Sequence, residues 1–307
     1  MDSSVSICPN WLGKRIEDAG GSISFCQFMD WALNDPDYGA YATGRLQIGR
    51  KGDFVTSPSL GPDFAELLAI QLVDWFNQLE KTSLDNQSLS LIDIGPGEGD
   101  LSRDLITSIY RISPQICKRL RLVLVEPNKG MIDRQRIKLQ SIDCVPISWM
   151  TIEELQINPG LGIVLAHELL DALPVERIIY RNQSLCRQGV SITKKNNSSL
   201  LTFVDLPLSD ELITSLEETS KSLGLFIPPI GVSDGWTTEW HLGLDDWFRN
   251  CSSILSNGLL LVIDYCLESN SYYKAIRSSG TLSAYKDQLM STNILSEPGC
   301  WDLTAHL

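Results

Sequence analysis

The chain reads Leu91-Ile92-Asp93-Ile94-Gly95-Pro96-Gly97-Glu98-Gly99-Asp100. A short apolar run, typical of a buried strand, leads directly into three glycines at alternate positions. Glycine tolerates the left-handed backbone of a tight turn and lets the main chain approach a ligand closely. A helix beginning near Leu101 would point free backbone N–H groups at this turn. The stretch therefore predicts a strand, a ligand-binding glycine loop and a helix.

Other short apolar runs extend this pattern along the chain. They lie at Leu120 to Val125, Leu161 to Ala166 and Leu259 to Asp264, with helical segments between them. Such alternation predicts an α/β fold with a mostly parallel sheet covered on both faces. Upstream, apolar residues at helical spacing predict helices over 22–34 and 62–81.

The region between the last two runs has a different texture. It predicts short antiparallel strands at 175–180, 184–190 and 200–204, a loop at 194–199, and helices at 209–224 and 243–255. An insertion of this size between sheet strands commonly forms a lid or a substrate platform. We therefore expect an N-terminal helical and loop region over 1–88, a core over 89–174 and 256–307, and an inserted α+β substrate region over 175–255.

Composition and charge narrow the class of protein. Of the 307 residues, 43% are hydrophobic, and this content excludes disorder as the main state. The formal net charge is −13. The excess of acidic over basic residues argues against a nucleic-acid partner and favours a cationic one. No apolar run approaches the roughly 18 residues of a membrane span, and no secretory signal is visible, so we expect a cytoplasmic protein. The eight cysteines and three histidines lack metal-ligand spacing, and we expect no metal.

Two kinds of ligand suit the glycine loop. A dinucleotide-binding fingerprint needs glycine at its sixth position, where this chain has Asp100. S-adenosylmethionine (SAM) carries a sulfonium cation and no phosphate, so Asp93 and Glu98 are compatible with it. The pattern of Asp93 with Gly95, Gly97 and Gly99 therefore favours SAM, and dinucleotide binding is the alternative.

A second acid supports the same interpretation. Glu126 follows the predicted strand at 120–125, where a carboxylate could accept hydrogen bonds from both ribose hydroxyls of a nucleoside. The alternative is that the glycines serve only a tight turn and that Glu126 is simply exposed at a strand end.

Chemically useful side chains follow the run at 161–166. His167, Glu168 and Asp171 come at its C-terminal end, where open parallel sheets place their ligands. Alternatively, Glu168 caps the following turn, Asp171 pairs with a surface arginine, and His167 is a core histidine. Upstream, the glycine-bearing loop at 49–58 includes Asp53 and Thr56 and suits either a ligand contact or an ordinary turn.

Several strings together carry a family resemblance. They are Gly52-Asp53-Phe54-Val55-Thr56-Ser57-Pro58, Gly95-Pro96-Gly97-Glu98-Gly99, Glu168-Leu169-Leu170-Asp171-Ala172-Leu173-Pro174-Val175, Asp264-Tyr265, Gly280-Thr281-Leu282 and Asp302-Leu303-Thr304-Ala305-His306. With them the chain resembles, over essentially its whole length, the MidA-like SAM-dependent methyltransferases, the family of a mitochondrial complex I assembly factor that methylates an arginine.

The resemblance implies a Rossmann-like class I methyltransferase fold, SAM as methyl donor, and a protein arginine, symmetrically dimethylated, as acceptor. Because arginine is permanently charged, carboxylates would grip its guanidinium. We expect Glu168 to do so, with Asp171 in support, His167 as proton acceptor, and Asp53 and Thr56 positioning SAM or the acceptor. The alternatives are a SAM-binding assembly or scaffold protein without turnover, and a methyltransferase for a small molecule.

The sequence departs from the family pattern in three places. His167 stands where the family usually has asparagine, and Gln288 stands where a histidine is expected after Gly280-Thr281-Leu282. Family members also continue past the string that ends at His306. We therefore expect a shortened member in which no buried strands follow residue 264 and the strand at 259–263 is unpaired along one edge.

Overall fold

The computed structural model describes residues 6–49, 52–82, 88–195 and 198–307. Its strands are β1 (Ser6–Ile7), β2 (Ser22–Ser24), β3 (Leu89–Ile94), β4 (Leu120–Val125), β5 (Ile147–Trp149), β6 (Gly160–His167), β7 (Glu176–Arg181), β8 (Ser184–Lys195), β9 (Ser198–Leu206), β10 (Thr237–Trp240), β11 (Leu255–Ile263), β12 (Ser283–Lys286), β13 (Leu289–Ser291) and β14 (Asp302–Thr304).

Its helices are α1 (Asn10–Asp18), α2 (Phe25–Asn34), α3 (Ser57–Leu60), α4 (Asp63–Thr82), α5 (Asp100–Ile112), α6 (Pro114–Cys117), α7 (Lys129–Leu139), α8 (Ile152–Ile157), α9 (Asp210–Leu223), α10 (Leu244–Ser253) and α11 (Ser269–Tyr272), with a 3-10 turn at Leu170–Ala172. In the described part of the chain, no helix is both long and apolar enough to cross a membrane.

Tertiary contacts divide the chain into two units. The first, called here the parallel unit, comprises Gln47–Leu170 and Leu244–Asp264. The second, called the antiparallel unit, comprises Met1–Leu46, Asp171–Gly243 and Tyr265–Leu307. The final segment, Tyr265–Leu307, thus groups with residues 1–46 and 171–243.

The parallel unit is built on a five-stranded sheet in the order β11-β6-β3-β4-β5, and every pair in it is parallel. Alternate side chains of β3 face opposite sides: Leu91 packs in a cluster with α4 and α5, and Ile92 packs in another with α8 and α10. A strand buried on both faces reads as a continuous apolar run, which is why the sequence predicted it. The expected Rossmann-like α/β fold is confirmed.

One edge of this sheet is formed by β11. The strand pairs with β6 from Leu255 to Ile263, and no strand of the described residues pairs with its other edge. Leu259 is 38% exposed. Within the described part of the chain, residues 259–263 thus have a strand partner on one side only, as expected.

The antiparallel unit contains a six-stranded sheet in the order β1-β9-β8-β7-β10, with β2 also paired to β8. Helix α9 packs on it through Leu212 and Leu216, which cluster with Ile178 and Trp240. The strands predicted at 184–190 and 200–204 are longer than expected, so most of the predicted loop at 194–199 belongs to β8 and β9. Residues 196 and 197 of that loop lie outside the described residues.

The C-terminal segment contains a separate three-stranded sheet, β13-β12-β14. The sequence predicted no further buried strands after residue 264, and these three short strands, which are mostly half-buried or exposed, were not foreseen. The three strands have only three or four residues each and include Ser283, Lys286 and Asp302, so they give no apolar run. They do not pair with β11.

A buried carboxylate links this segment to β10 within the antiparallel unit. Glu239 is fully buried, accepts a hydrogen bond from the Thr281 backbone N–H at 2.8 Å, and lies 3.8 Å from Arg177 Nε. Gly280 has a φ of 77°, and a Cβ there would lie 2.1 Å from the Glu239 carboxylate. The Gly280-Thr281 string thus has a structural reason that is independent of catalysis.

Candidate active site at the carboxyl ends of the parallel strands

Four strands of the parallel unit end at the same edge of its sheet, because parallel strands point the same way. The glycine loop follows β3, Glu126 follows β4, Glu168 follows β6 and Asp264 follows β11. Ligands of open α/β sheets bind at this edge. The structure therefore places these groups where a cofactor and an acceptor could meet.

The glycine loop has left-handed backbone at all three glycines. The φ angles are 66° at Gly95, 54° at Gly97 and 85° at Gly99, which is also the N-cap of α5. At Gly95 a Cβ would lie 2.5 Å from Leu169 Cδ1, and at Gly97 it would lie 3.2 Å from Ile48 Cδ1. Only glycine fits such a path without strain.

Asp100, which breaks the dinucleotide fingerprint, is the first residue of α5. Both of its carboxylate oxygens accept hydrogen bonds from Lys138 Nζ at 2.9 Å, and one lies 3.1 Å from Arg103 Nη1. Its charge is therefore used to tie α5 to α7.

Asp93 is buried behind the loop, 2% exposed, and its Oδ2 accepts a hydrogen bond from Ser102 Oγ at 2.5 Å. Burial raises the pKa of Asp93 to about 6; the Ser102 hydrogen bond opposes this and the nearby Glu126 adds to it. Asp93 thus ties the end of β3 to α5, and a role in binding SAM stays a prediction.

Glu126 is held by its neighbours in the parallel unit. Its Oε1 accepts from the Asn128 backbone N–H at 2.8 Å, and its Oε2 accepts from Gln135 Nε2 at 3.3 Å. Burial raises the pKa of Glu126, while these hydrogen bonds and the charge of Arg134 lower it. Each oxygen keeps lone pairs that could accept from a ribose diol.

Glu168 has a left-handed φ of 48°, uncommon for a residue with a side chain. Its backbone N–H donates to Ile263 O at 2.8 Å, which fixes the turn after β6 against β11. Burial and the neighbouring charge of Asp264 raise the pKa of Glu168 to about 7. Strained backbone and a shifted pKa at a strand end are typical of functional sites.

His167 precedes it, with Nε2 3.8 Å from Glu168 Oε1 and its ring edge-on to Phe64, with the ring centroids 5.2 Å apart. Burial lowers the pKa of His167, although Asp264 acts in the opposite direction. A neutral imidazole beside a carboxyl that titrates near pH 7 can accept a proton.

Comparison with known proteins is consistent with this geometry. Residues 67–307 match the family model described as "Putative S-adenosyl-L-methionine-dependent methyltransferase". The chain belongs to this family.

Relatives and a solved structure agree with the assignment. The chain is 26% identical over 325 residues to the Caenorhabditis elegans "Protein arginine methyltransferase NDUFAF7 homolog, mitochondrial", covering 96% of this chain and 69% of that protein. A Danio rerio relative, "Protein arginine methyltransferase NDUFAF7, mitochondrial", is 29% identical over 206 residues, 61% of this chain and 47% of that protein. The chain thus matches about half the length of this relative.

A crystal structure from Burkholderia thailandensis, bound to S-adenosyl-homocysteine, superposes with a TM-score of 0.78 at 26% identity. The similarity covers 97% of this chain and 72% of that one. The fold is therefore that of a protein which holds the demethylated product of SAM.

The remaining predicted residues have local partners. Asp53 is buried, and its Oδ2 accepts from the Gln47 backbone N–H at 2.9 Å, which closes its own loop. Thr56 precedes α3, and its N–H donates to Ser59 Oγ at 3.0 Å. These contacts fit an ordinary turn, and a role in positioning SAM or the acceptor stays a prediction.

Asp171 lies in the antiparallel unit and is 6% exposed. Its backbone carbonyl accepts a hydrogen bond from the Ala305 N–H at 2.9 Å, which joins two of the family strings. The support that Asp171 was expected to give to Glu168 stays a prediction.

Two residues of the parallel unit were missed by sequence reasoning. Asp264 accepts from the Leu170 N–H at 2.8 Å and raises the pKa of Glu168. It ends an apolar run just as Glu126 does, so its position could have identified it. Gln135 is fully buried on the face of α7 that also carries Met131 and Leu139. A glutamine spaced four residues from each of two apolar residues was the sequence signal that could have identified it.

Proposed function

We propose that this protein is a SAM-dependent methyltransferase that acts on an arginine side chain of another protein. The observation that best supports this proposal is that a glycine loop, Glu126 and Glu168 each follow a parallel strand at the same edge of one sheet. The oxygens of Glu126 are suited to a ribose. The names of the relatives support the choice of arginine and protein.

The residues present fit SAM. The loop at Gly95, Gly97 and Gly99 presents no side chains at its three turning points, and Glu126 offers acceptor oxygens suited to ribose hydroxyls. The buried charge of Asp93 favours a sulfonium cation over a pyrophosphate. When bound, SAM supplies an activated methyl group for in-line displacement.

The acceptor side depends on Glu168. A guanidinium is planar, permanently charged and able to donate several hydrogen bonds, so an ionised carboxylate can hold it in one orientation. An approaching guanidinium also lowers the pKa of Glu168 and so favours the ionised form. His167, whose pKa burial lowers, would accept the proton that the guanidinium loses on methylation. Holding the acceptor nitrogen in line is the main contribution that the protein can make.

The cofactor half of the proposal is tested by binding. Gly97→Val adds a branched side chain to a left-handed position that faces Ile48, and SAM binding measured by calorimetry should be lost. Gly224→Val is the matched control, since Gly224 has a φ of 65° at the end of α9 in the antiparallel unit. It should suffer similar backbone strain but bind SAM normally. Unchanged affinity in folded Gly97→Val would refute the site.

The transfer half is tested in cells. Methyl-arginine is sought by mass spectrometry in cells with and without the protein, and the purified protein is incubated with labelled SAM and proteins from the deleted cells. We expect label on protein arginine. SAM binding without transfer would support a scaffold, and label only on small molecules would support a small-molecule methyltransferase. The link to respiratory complex I assembly stays a prediction.

A further inference from the structure

Gln135 connects three parts of the proposed SAM site through one side chain. It lies on α7, between β4 and β5, and none of its surface is exposed. A buried amide is stable only when its polar atoms have partners. All the partners that the structure gives it lie at the strand ends of the parallel unit.

The contacts are specific. Gln135 Nε2 donates to the Gly97 carbonyl at 2.8 Å and to Glu126 Oε2 at 3.3 Å. Gln135 Oε1 accepts from Trp149 Nε1, at the end of β5, at 2.8 Å. One amide therefore joins the loop after β3, the acid after β4 and the last residue of β5.

The chemistry of the partners fixes the orientation of this amide. An indole N–H can only donate, and a backbone carbonyl and a carboxylate can only accept. Rotating the amide by half a turn would set N–H against N–H at Trp149 and oxygen against oxygen at Gly97 and Glu126. Gln135 is therefore held in one state.

Two consequences follow for ligand binding. The Gly97–Glu98 peptide is trans, so fixing the Gly97 carbonyl towards Gln135 turns the Glu98 N–H to the opposite side. The Glu126 carboxylate is held at both oxygens, by Asn128 and by Gln135, before any ligand arrives. Groups held in advance in their binding geometry lose less entropy when a ligand binds.

We propose that Gln135 is the positioning residue of the SAM site, setting the glycine loop and the ribose-binding carboxylate in a fixed relation. The inference rests on the proposed function, because it takes Glu126 to bind the ribose.

The test is a double-mutant cycle on SAM affinity, measured by calorimetry on the full chain. Gln135→Met keeps size and removes every hydrogen bond, and it should weaken SAM binding by about tenfold or more. Glu126→Gln should also weaken it. If Gln135 acts through Glu126, the fold-loss of SAM affinity in the double variant will be much smaller than the product of the two single-variant losses.

Gln188→Met is the matched control. Gln188 is also a buried glutamine, but it lies on β8 of the antiparallel unit and accepts a hydrogen bond from Arg177. It should lower the melting temperature without changing the SAM dissociation constant. If Gln135 serves only packing, Gln135→Met will likewise lower the melting temperature and leave the SAM dissociation constant unchanged.

A second variant covers a failure of Gln135→Met to fold. Gln135→Glu keeps the shape and the acceptor for Trp149, but it puts a carboxyl beside Glu126 in place of the donor. It should weaken SAM binding at least as much. Normal affinity in either folded variant, or fully independent effects in the cycle, would overturn the inference. Absence of SAM binding by the folded wild type would instead overturn the proposed function and this inference with it.

Discussion

Glu168 combines a left-handed backbone with a carboxyl whose pKa burial and Asp264 raise to about 7. Glu168→Gln keeps the shape and removes the charge that would hold a guanidinium. We expect methyl transfer to fall by about 10²-fold or more while SAM affinity stays near normal. Transfer of labelled methyl and calorimetry measure the two quantities. Equal turnover would leave Glu168 as a turn residue.

The pH dependence of transfer tests the same carboxyl separately. Only ionised Glu168 can hold the cation, so kcat/KM of the wild-type protein, which reports the free protein, should rise as the pH passes through about 7. The glutamine variant cannot titrate there and should lack this rise in its residual rate. A wild-type kcat/KM that stays flat between about pH 6 and 8 would assign the grip to another group.

Asp93 predicts an effect of pH on stability. Its folded pKa of about 6 lies above its ordinary value, so the unfolded chain releases this proton at a lower pH than the folded chain. The contribution of Asp93 to the free energy of unfolding is therefore fully present at low pH and is lost as the pH rises to about 6. Asp93→Asn does not titrate. In unfolding without SAM, it should gain stability over the wild type between about pH 4 and 6, on the order of 2 kcal/mol, and bind SAM more weakly. If the difference in stability between Asp93→Asn and the wild type does not change with pH, the raised pKa of Asp93 is contradicted.

Among the elements, β3, β4 and β6 were predictable because strands buried on both faces leave continuous apolar runs. Strand β11 was predictable from its apolar run at 259–263, although it is only half-buried. Strand β5 was not, since Ile147–Trp149 is only three half-buried residues and is defined by its pairing with β4. Residues 22–24 also differ from the prediction: β2 pairs there with β8, and α2 begins only at Phe25. Long-range pairing decided these cases, and local pattern does not show it.

The exposed edge of β11 predicts self-association. Its apolar side chains lie along backbone groups that no other strand of the described residues pairs, and such edges recruit further strands. Leu259→Lys places a charge on this edge at a partly exposed position and should reduce concentration-dependent association in sedimentation. Leu67→Lys, on α4 of the same unit and 72% exposed, is the matched control. Equal effects of the two variants would show a role of net charge alone.

On the scale of the whole chain, the location of the candidate site was predictable and its internal contacts were not. Glu126 and Glu168 were identified because each follows an apolar run, and parallel strands bring such residues to one edge. The link from Gln135 to Gly97 spans 38 residues and depends on how α7 packs. Asp171 falls in a different unit from Glu168 although only three positions separate them. Spacing along the chain did not show that boundary.

The formal net charge of −13 predicts how an acceptor is recruited. An acidic protein attracts a basic substrate over distances that salt screens, with a Debye length of about 8 Å at physiological ionic strength. For the protein substrate found by labelling, kcat/KM should fall several-fold between about 50 and 300 mM KCl. The SAM dissociation constant should change little over this range, because a buried site is screened less. If kcat/KM does not depend on salt, local contacts such as those of Glu168 select the acceptor without help from the field of the chain.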